Sequence, residues 1–376
     1  MVKFKAAVLG LGHVGRVIAT DLYNRFQGDL VIADVSEGAL ENASKELKGV
    51  ETARLDASNV ESIVKVIKEV DLSIGALPGK FGMNCWLAAV KAGVNLVDIS
   101  FAPDDPFSVD EEAKRAGVTI IPDAGVAPGL SNVLAGRAYA KMNGKVDELT
   151  IYVGAIPENP SNPLGYVVTW NPEDLIEEYT RPARVIHEGV QKSFPALSGL
   201  ENLSIKGLTL EAFRTDGLRT MLRTLKGVRN MEEKTLRWPG HVQKILLLKE
   251  LGLLDFNPVK INGQTVSPAK LTAKLLKEKL TGDPKDILIM LVRAKGQIDE
   301  KQTEIKYVLI DRYDQASGVT ALSRTTGYTA TGMFMLLSKY NTLGPGVIPP
   351  EIIGMDEHLF SDLVRWLEDH KIKISD

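Results

Sequence analysis

The feature that most constrains the fold is a glycine-rich turn between a strand pattern and a helix pattern. The turn, Gly10-Leu11-Gly12-His13-Val14-Gly15, directly follows the apolar run 6–9. Apolar residues then recur at helical spacing over 16–26, and a second apolar run, 30–33, ends at Asp34. Strand, glycine turn, helix, strand and acid in this order are the fingerprint of a dinucleotide-binding βαβ unit.

Each residue of the fingerprint has a physical task. Gly10 permits the tight turn, Gly12 lets the backbone approach a pyrophosphate, and Gly15 lets the helix pack against the strand. The N-terminus of the helix offers unpaired N–H groups to the phosphates. Asp34 would bind the ribose hydroxyls and repel a 2′-phosphate, and no Arg or Lys occurs in 35–38, which favours NAD over NADP. The competing interpretation is a chance loop, with Asp34 capping the next helix.

Composition places the chain among ordinary globular proteins. Its 376 residues suffice for two domains, with 44% apolar and 25% charged residues. The net charge of −3, without a basic run, argues against nucleic acid as a main partner. We expect no membrane span, because no apolar stretch reaches about 18 residues. We expect no signal peptide either, because the chain enters its first strand at once.

Cysteine and histidine usage bears on compartment and metals. Cys85 is the only cysteine, so no intramolecular disulfide or thiolate cluster can form, which fits a reducing compartment. The five histidines are not paired at metal-site spacing, so we expect no metal cofactor. The sequence therefore predicts a cytoplasmic protein.

Strand and helix patterns alternate up to about residue 122, which predicts a doubly wound parallel sheet of the Rossmann type, with helices on both faces. Strands are expected at 51–55, 72–75, 95–99 and 118–121, and helices at 36–48, 58–68, 82–92 and 107–116. In such sheets ligands lie at the carboxyl ends of the strands. Those ends hold Gly10, Asp34, Asp56, Ala76-Leu77-Pro78, Asp98 and Asp123.

The remainder predicts a second, α+β domain with a mixed or antiparallel sheet. We expect strands at 149–155 and 203–213, a hairpin of 287–294 and 304–311 joined by the polar loop 295–303, and covering helices at 241–251 and 267–280. From residue 323, the helices 329–340 and 359–367, joined by a rigid linker at 344–350, are expected to return to the first domain. The predicted domains are 1–128 for the dinucleotide, 129–322 for substrate and dimerisation, and 323–376.

A second signature, Asp123-Ala124-Gly125-Val126-Ala127-Pro128-Gly129-Leu130-Ser131-Asn132, lies between the two regions. Its Gly and Pro residues predict a stiff turn that opens a helix at 130–142. Asp123, at the end of a strand, would face the ligand crevice. The alternative is a domain hinge without chemistry.

Taken together, these motifs resemble the saccharopine dehydrogenase family, above all its L-lysine 6-dehydrogenase branch. In the first domain the resemblance is carried by the glycine turn, Gly75-Ala76-Leu77-Pro78, Asp98-Ile99-Ser100 and the 123–132 block. In the second domain it is carried by 170–179 (WNPEDLIEEY), 210–217 (LEAFRTDG) and 235–241 (TLRWPGH). The resemblance implies a homodimer formed through the second domain, and oxidative deamination of the ε-amine of lysine to 2-aminoadipate 6-semialdehyde and ammonia. The hydride would pass to a nicotinamide ring, and Asp34 favours NAD as its carrier.

Such a reaction requires anchors for an amino acid and groups that move protons. Arg181, Arg214 and Arg237 could each clamp the α-carboxylate, although each could equally form an ion pair. Thr215 and Asp216 could bind the α-amino group. The Glu177-Glu178 pair is interpreted as a solvated helix face.

Three residues are candidates for catalysis. His241 is the first choice for a proton shuttle because imidazole titrates near neutrality. Asp98 and Asp123 could hold the amine. The alternatives are a structural histidine at a helix start and aspartates that cap helices or turns. The candidates for cofactor binding are Gly10, Gly12, His13, Val14, Gly15, Asp34, Val35, Asp56, Ala76, Leu77, Pro78, Asp98 and Gly129.

Two alternative functions stay open at this point. One is saccharopine dehydrogenase or a carboxy-polyamine dehydrogenase of the same fold, which would need anchors for further carboxylates. The second is an NAD-binding sensor without catalytic activity, because a fold alone does not prove a function.

Overall fold

The computed structural model describes residues 4–168, 171–280, 282–340 and 343–376, so Trp170 of the second-domain motif lies outside the described residues. The strands are β1 (Lys5–Leu9), β2 (Asp29–Asp34), β3 (Glu51–Arg54), β4 (Leu72–Gly75), β5 (Asn95–Asp98), β6 (Thr119–Ile121), β7 (Val146–Pro157), β8 (Ala183–His187), β9 (Val190–Phe194), β10 (Glu201–Ile205), β11 (Leu208–Thr215), β12 (Asn230–Arg237), β13 (Val259–Ile261), β14 (Gln264–Val266), β15 (Asp286–Ile298), β16 (Lys301–Arg312), β17 (Gly346–Val347) and β18 (Ile374–Ser375). The helices are α1 (His13–Arg25), α2 (Glu37–Glu46), α3 (Val60–Ile67), α4 (Gly82–Ala92), α5 (Asp110–Ala116), α6 (Leu130–Lys141), α7 (Pro172–Thr180), α8 (Met221–Thr224), α9 (His241–Glu250), α10 (Pro268–Lys279), α11 (Ala321–Lys339), α12 (Pro350–Met355) and α13 (Glu357–Asp369).

The chain divides into two compact units. Unit 1 comprises residues 4–137 and 323–372, and unit 2 comprises 138–322 and 373–376. The first boundary thus lies inside α6 rather than at residue 128. The last four residues lie in unit 2 because β18 pairs with β16.

Unit 1 is built on a parallel sheet with strand order β17-β6-β5-β4-β1-β2-β3. This arrangement confirms the predicted doubly wound fold, whose order reverses between β1 and β4. The apolar run of β1 is fully buried, as expected for a strand covered on both faces. Leu9 lies opposite Ala33 and Gly75, so the segments after β1, β2 and β4 emerge together at one edge.

The C-terminal part of unit 1 completes this domain. The predicted linker 344–350 instead contains β17, which extends the sheet beside β6. Helix α11 packs closely against α1. A Cβ atom at Gly327 of α11 would come within 2.8 Å of the Val17 side chain. In the same layer, the ring of His370 bonds to Asp21 of α1 at 2.7 Å.

Unit 2 contains a mixed sheet of order β10-β11-β12-β7-β15-β16-β18, in which β12 and β7 run parallel. The predicted mixed sheet is confirmed, but two details were wrong. The predicted strand 203–213 is a hairpin, β10–β11, whose turn residues Lys206 and Gly207 have φ of 48° and 86°. The predicted loop 295–303 shrinks to Asp299 and Glu300, which also have positive φ. Two-residue turns of this kind match the twist of paired strands.

Helices α7, α9 and α10 bury their apolar residues in one core with β11 and the segment before α7. Phe213 and Tyr179 are among the largest fully buried side chains there. Among the described helices, none combines the length and the apolar character that a membrane crossing requires.

Candidate active site

The glycine turn lies at the carboxyl edge of the unit 1 sheet. Gly10 adopts φ of +98°, and its N–H donates to Ala33 O at 2.7 Å. A Cβ at Gly10 would lie 2.4 Å from Ala76 O, and a Cβ at Gly15 would lie 2.0 Å from Gly10 O. Around Gly12, by contrast, no described atom lies within 4 Å of a Cβ position. The turn is therefore closed on the protein side and open where a pyrophosphate would approach.

Asp34 is held rigidly beside this turn. Its two carboxylate oxygens accept hydrogen bonds from Leu11 N at 2.6 Å and Ser36 N at 2.8 Å. Val35 is 61% exposed. Arg54 lies opposite Asp34 in the register of β2 and β3 and pairs with Glu37 at 3.3 Å. The acid is thus oriented at the position where the dinucleotide fingerprint places the adenosine ribose.

The remaining predicted contacts of unit 1 follow the same edge. The N-terminus of α1 has no side-chain cap, so its N–H groups are available to phosphate oxygens. His13 is exposed and Val14 half-buried, while Ala76 and Leu77 are half-buried and Pro78 is exposed. Asp56 is exposed, and hydrogen bonds from Ser58 lower the pKa of its carboxyl group. Turn, helix end and acid together fit the pyrophosphate and the adenosine ribose of a dinucleotide.

Asp98 is enclosed rather than facing a ligand. The residue is 0% exposed, and its carboxylate accepts hydrogen bonds from Trp86 Nε1 at 2.6 Å and Ser100 Oγ at 2.5 Å. Burial raises the pKa of the Asp98 carboxyl to about 7. The predicted roles of Asp98 in amine and cofactor binding therefore need correction, because this carboxylate fixes α4 and the loop after β5.

The 123–132 block forms a buried turn. Asp123 is 1% exposed and adopts φ of +52°. Gly129, with φ of +137°, is buried, and a Cβ there would lie 1.9 Å from Gly125 O. Both residues are thus buried within the turn, and the expectations that Asp123 holds an amine and that Gly129 contacts the cofactor stay predictions.

In unit 2, the three motifs of the second domain converge on one buried cluster. Glu211 of β11 accepts hydrogen bonds from Gly240 N at 2.8 Å and Val242 N at 2.6 Å, and so caps α9. Tyr179 of α7 bonds to His241 at the start of α9. Residues distant in sequence thus form one polar network beneath α7 and α9.

His241 is a structural residue of this cluster. It is 1% exposed; its Nδ1 donates to Leu164 O, and its Nε2 accepts from the Tyr179 hydroxyl, both at 2.9 Å. Burial, with Arg237 nearby, lowers the pKa of the imidazole to about 3. The prediction of a proton shuttle that titrates near neutrality is therefore corrected.

We expect the variant His241→Gln to retain both limbs of its pH–rate profile and to lose stability. The folded-state pKa of about 3 lies below the ordinary 6.5, so the neutral ring stabilises the fold above pH 6.5, and this stability is lost as pH falls toward 3. Thermal unfolding across this range should be less pH-dependent in the variant than in the wild type. Loss of one limb of the rate profile at full stability would restore the shuttle role.

The three arginines predicted to bind the α-carboxylate of the substrate each pair with an acidic side chain of unit 2. Arg237 is 3% exposed, donates to Glu178 at 2.7 Å, and lies 4.5 Å over the Tyr166 ring. Arg214 pairs with Glu232 at 2.7 Å, and Arg181 with Glu177 of the preceding turn.

The predicted amino-group ligands are similarly occupied. Asp216 accepts a two-pronged contact from Arg184, with Nε 2.8 Å and Nη2 2.9 Å from its two oxygens. Thr215 Oγ1 lies 2.9 Å from Thr235 Oγ1 and 3.2 Å from Glu233 Oε1. These contacts correct the ligand roles that residue type alone suggested.

Sequence reasoning missed the acids of this cluster. Glu178 was assigned to a solvated face, but its side chain is only 17% exposed and bonds to Arg237. It lies three residues after the buried Leu175, which is the spacing of one helix face. The sequence does not indicate Glu233, because charged residues occur on both faces of β12 and the usual alternation of apolar and polar residues is therefore not visible. Within the described residues, no group of three or more His, Cys, Asp or Glu is arranged to hold a metal ion.

Comparison with known proteins identifies the class. The saccharopine dehydrogenase NADP binding domain matches residues 6–121, and the saccharopine dehydrogenase C-terminal domain matches residues 125–372. The parallel sheet and the glycine turn define a dinucleotide-binding domain of the Rossmann type. The chain belongs to the saccharopine dehydrogenase family, as its motifs predicted.

The curated relatives are distant. Alpha-aminoadipic semialdehyde synthase of Arabidopsis thaliana is 27% identical over 63% of this chain, and the chain spans 24% of that protein. Saccharopine dehydrogenase (NADP(+), L-glutamate-forming) of Schizosaccharomyces pombe is 24% identical over 48% of this chain and 42% of its own length. Carboxynorspermidine synthase of Vibrio alginolyticus is 26% identical, with 71% of each chain covered. The chain thus spans less than half the length of the first two.

A solved structure is similar over nearly the whole chain. Apo saccharopine dehydrogenase (L-Glu forming) from Saccharomyces cerevisiae matches with a TM-score of 0.81, covering 99% of both chains at 17% identity. This likeness supports the fold described above.

Proposed function

We propose that this protein is an NAD-dependent dehydrogenase of the L-lysine ε-amine. Lysine, NAD and water give 2-aminoadipate 6-semialdehyde, ammonium, NADH and a proton. The observation that carries the choice of lysine is the pairing of Arg181, Arg214 and Arg237 with acids of the same unit, of which the pair of Arg237 with Glu178 is buried. Saccharopine has three carboxylates and lysine has one, so a site whose arginines are already paired favours the smaller acid.

The choice of NAD rests on Asp34, although the NADP binding domain and the fission yeast relative are described by NADP. The fixed carboxylate is oriented to accept hydrogen bonds from both ribose hydroxyls. A 2′-phosphate placed there would meet a negative charge at short range.

When bound, the nicotinamide accepts the hydride that leaves the ε-carbon. The residues proposed to hold the coenzyme are those of the glycine turn, with α1 N–H groups toward the phosphates and Asp34 toward the ribose. The ε-ammonium must first lose a proton, because only a neutral amine can donate its electron pair as the hydride departs.

A carboxy-polyamine dehydrogenase is the second candidate. It is favoured by the match to carboxynorspermidine synthase, which covers 71% of each chain. Saccharopine dehydrogenase and an NAD-binding sensor without turnover are weaker candidates, and each predicts a different result in an activity screen.

A spectrophotometric screen tests the proposal. The full chain is assayed for NADH or NADPH formation with lysine, saccharopine or a carboxy-polyamine, each paired with NAD and with NADP. We expect lysine with NAD to give the highest kcat/KM and the product to be the semialdehyde. Faster turnover of saccharopine, with release of glutamate, would contradict the lysine assignment. Coenzyme binding without turnover of any amine would favour the sensor.

The homodimer and the cytoplasmic location also stay proposals. Of the large apolar side chains exposed on the described residues, nine of fourteen lie in the segment 246–275 of unit 2. Such a concentration is typical of an association surface. Sedimentation equilibrium that gives the mass of a single chain would contradict the homodimer.

A further inference from the structure

Four polar side chains form a row inside unit 2. Thr215 of β11 lies opposite Glu233 of β12, and Thr235 follows on the same face. Glu178 of α7 completes the row from the helix layer. Thr215, Glu233 and Thr235 are 5% to 6% exposed.

The row has more hydrogen-bond links than hydroxyl protons. Glu233 Oε1 lies 3.2 Å from Thr215 Oγ1, the two threonine hydroxyls are 2.9 Å apart, and Thr235 donates to Glu178. These three links require three protons, of which the two hydroxyls supply two. A carboxyl group must therefore supply the third.

Surrounding charges identify which carboxyl holds that proton. Burial raises the pKa of the Glu178 carboxyl, but Arg237, 2.7 Å away, opposes this rise and favours the ionised form. Arg184 is committed to Asp216, so within the described residues no cation pairs with Glu233. Burial, with Glu178 and Asp216 nearby, raises the pKa of Glu233 to about 8. Glu233 is accordingly the neutral end of the row.

The second oxygen of Glu233 points to a ligand. Glu233 Oε2 is buried without a hydrogen-bond partner among the described residues. A Cβ at Gly217 would lie 1.2 Å from this oxygen, so only glycine leaves room for the carboxyl group. A buried oxygen acceptor without a partner is costly unless something donates to it.

We propose that Glu233, Thr215, Thr235 and Glu178 form a proton relay, and that Glu233 is the terminal acid that exchanges a proton with the amine nitrogen of the substrate. The proposal rests on the proposed function for its substrate, an alkylammonium. In the relay step, Glu233 donates its proton to Thr215, Thr215 to Thr235, and Thr235 to Glu178. Three O–H bonds break and three form, and the negative charge moves from Glu178 to Glu233.

The ionised Glu233 then takes one proton from the substrate ammonium. An N–H bond breaks, an O–H bond forms, and the electron pair stays on nitrogen. The amine becomes neutral, as the departure of a hydride requires. After this step Glu233 is protonated again, and the proton that the relay moved lies on Glu178 beside Arg237.

Infrared difference spectroscopy of the full chain, without any substrate, tests the relay. We expect one component of the C=O band of protonated carboxyl groups to disappear as pH rises through about 8, and this component to be missing in Glu233→Gln. The component of Asp98, whose pKa is about 7, should be present in both proteins. In Thr235→Val the hydroxyl of Thr215 is free to donate to Glu233, so the Glu233 component should disappear at lower pH. Thr235→Ser, which keeps the hydroxyl, is the matched control and should titrate like the wild type.

Two results would overturn the relay: a band unchanged in Glu233→Gln, or the same titration in Thr235→Val and Thr235→Ser. Stability gives a second readout. The raised pKa of Glu233 makes the fold most stable below pH 4.5 and less stable as pH rises to about 8, and Glu233→Gln should remove this dependence.

Kinetics separates this proposal from the proposed function. With lysine as substrate, the limb of kcat/KM near pH 8 should be lost in Glu233→Gln, with at least a 100-fold fall in kcat. If the wild type fails to oxidise lysine, the proposed function is wrong and the spectra still decide the relay. If lysine is oxidised at wild-type rate by Glu233→Gln, the terminal acid is wrongly assigned.

Discussion

In the variant Asp34→Ser with Val35→Arg, the ratio of kcat/KM for NAD to that for NADP should fall at least about 100-fold, or about 2.7 kcal/mol. The carboxylate that would bind both ribose hydroxyls is removed, and each hydrogen bond to a charged group contributes about 1.5–3 kcal/mol. Val35 is 61% exposed, so an arginine there has room to reach a 2′-phosphate. The measurement is steady-state kinetics with both coenzymes.

Two single variants sharpen this test. Asp34→Asn removes the charge and keeps an acceptor for only one of Leu11 N and Ser36 N, so it tests the repulsion of phosphate with one of the two contacts to the backbone retained. Arg54→Gln removes the cation opposite Asp34. If Arg54→Gln abolishes activity with NADP while the double variant leaves the ratio unchanged, this protein binds its coenzyme through Arg54, and the NAD assignment is wrong.

The parallel sheet was predictable because its signals are local. Each buried strand is a short apolar run, each helix has its own periodicity, and the ends of the strands must meet at one edge. The glycine turn and Asp34 were found for the same reason, since their geometry is set within a single βαβ unit. The hairpin turn at Lys206 and Gly207 escaped notice because apolar residues flank it closely on both sides.

The polar cluster of unit 2 was predictable only as a set of residues. Arg237 and Glu178 are 59 positions apart, and His241 and Tyr179 are 62 apart. A sequence cannot distinguish an arginine that binds the carboxylate of a substrate from one that already pairs with a buried acidic side chain of the protein. The motifs were correctly chosen, but their polar residues bind one another, and the unpartnered oxygen belongs to Glu233, which residue type did not single out.

The largest loss of stability is expected from Arg237→Met. This substitution leaves Glu178 in the interior without its cation, a change that typically costs about 3–5 kcal/mol. For a unit of this size the midpoint of thermal unfolding should fall by about 10 °C. The contact with the Tyr166 ring is lost as well. Calorimetry or circular dichroism measures the change, and fluorescence titration should give an unchanged Kd for the coenzyme.

The double variant Arg237→Met with Glu178→Met identifies the cause of this loss. It removes both charges and fills a similar volume, so most of the lost stability should return. Lys295→Met breaks a surface pair of the same unit, Lys295 with Glu148 at 3.0 Å, and should change stability by no more than about 1 kcal/mol. If Arg237→Met instead unfolds like the wild type while KM for lysine rises steeply, Arg237 binds the substrate carboxylate, as the sequence first suggested. The buried pair would then open when lysine binds, and the argument from engaged arginines would no longer separate lysine from saccharopine.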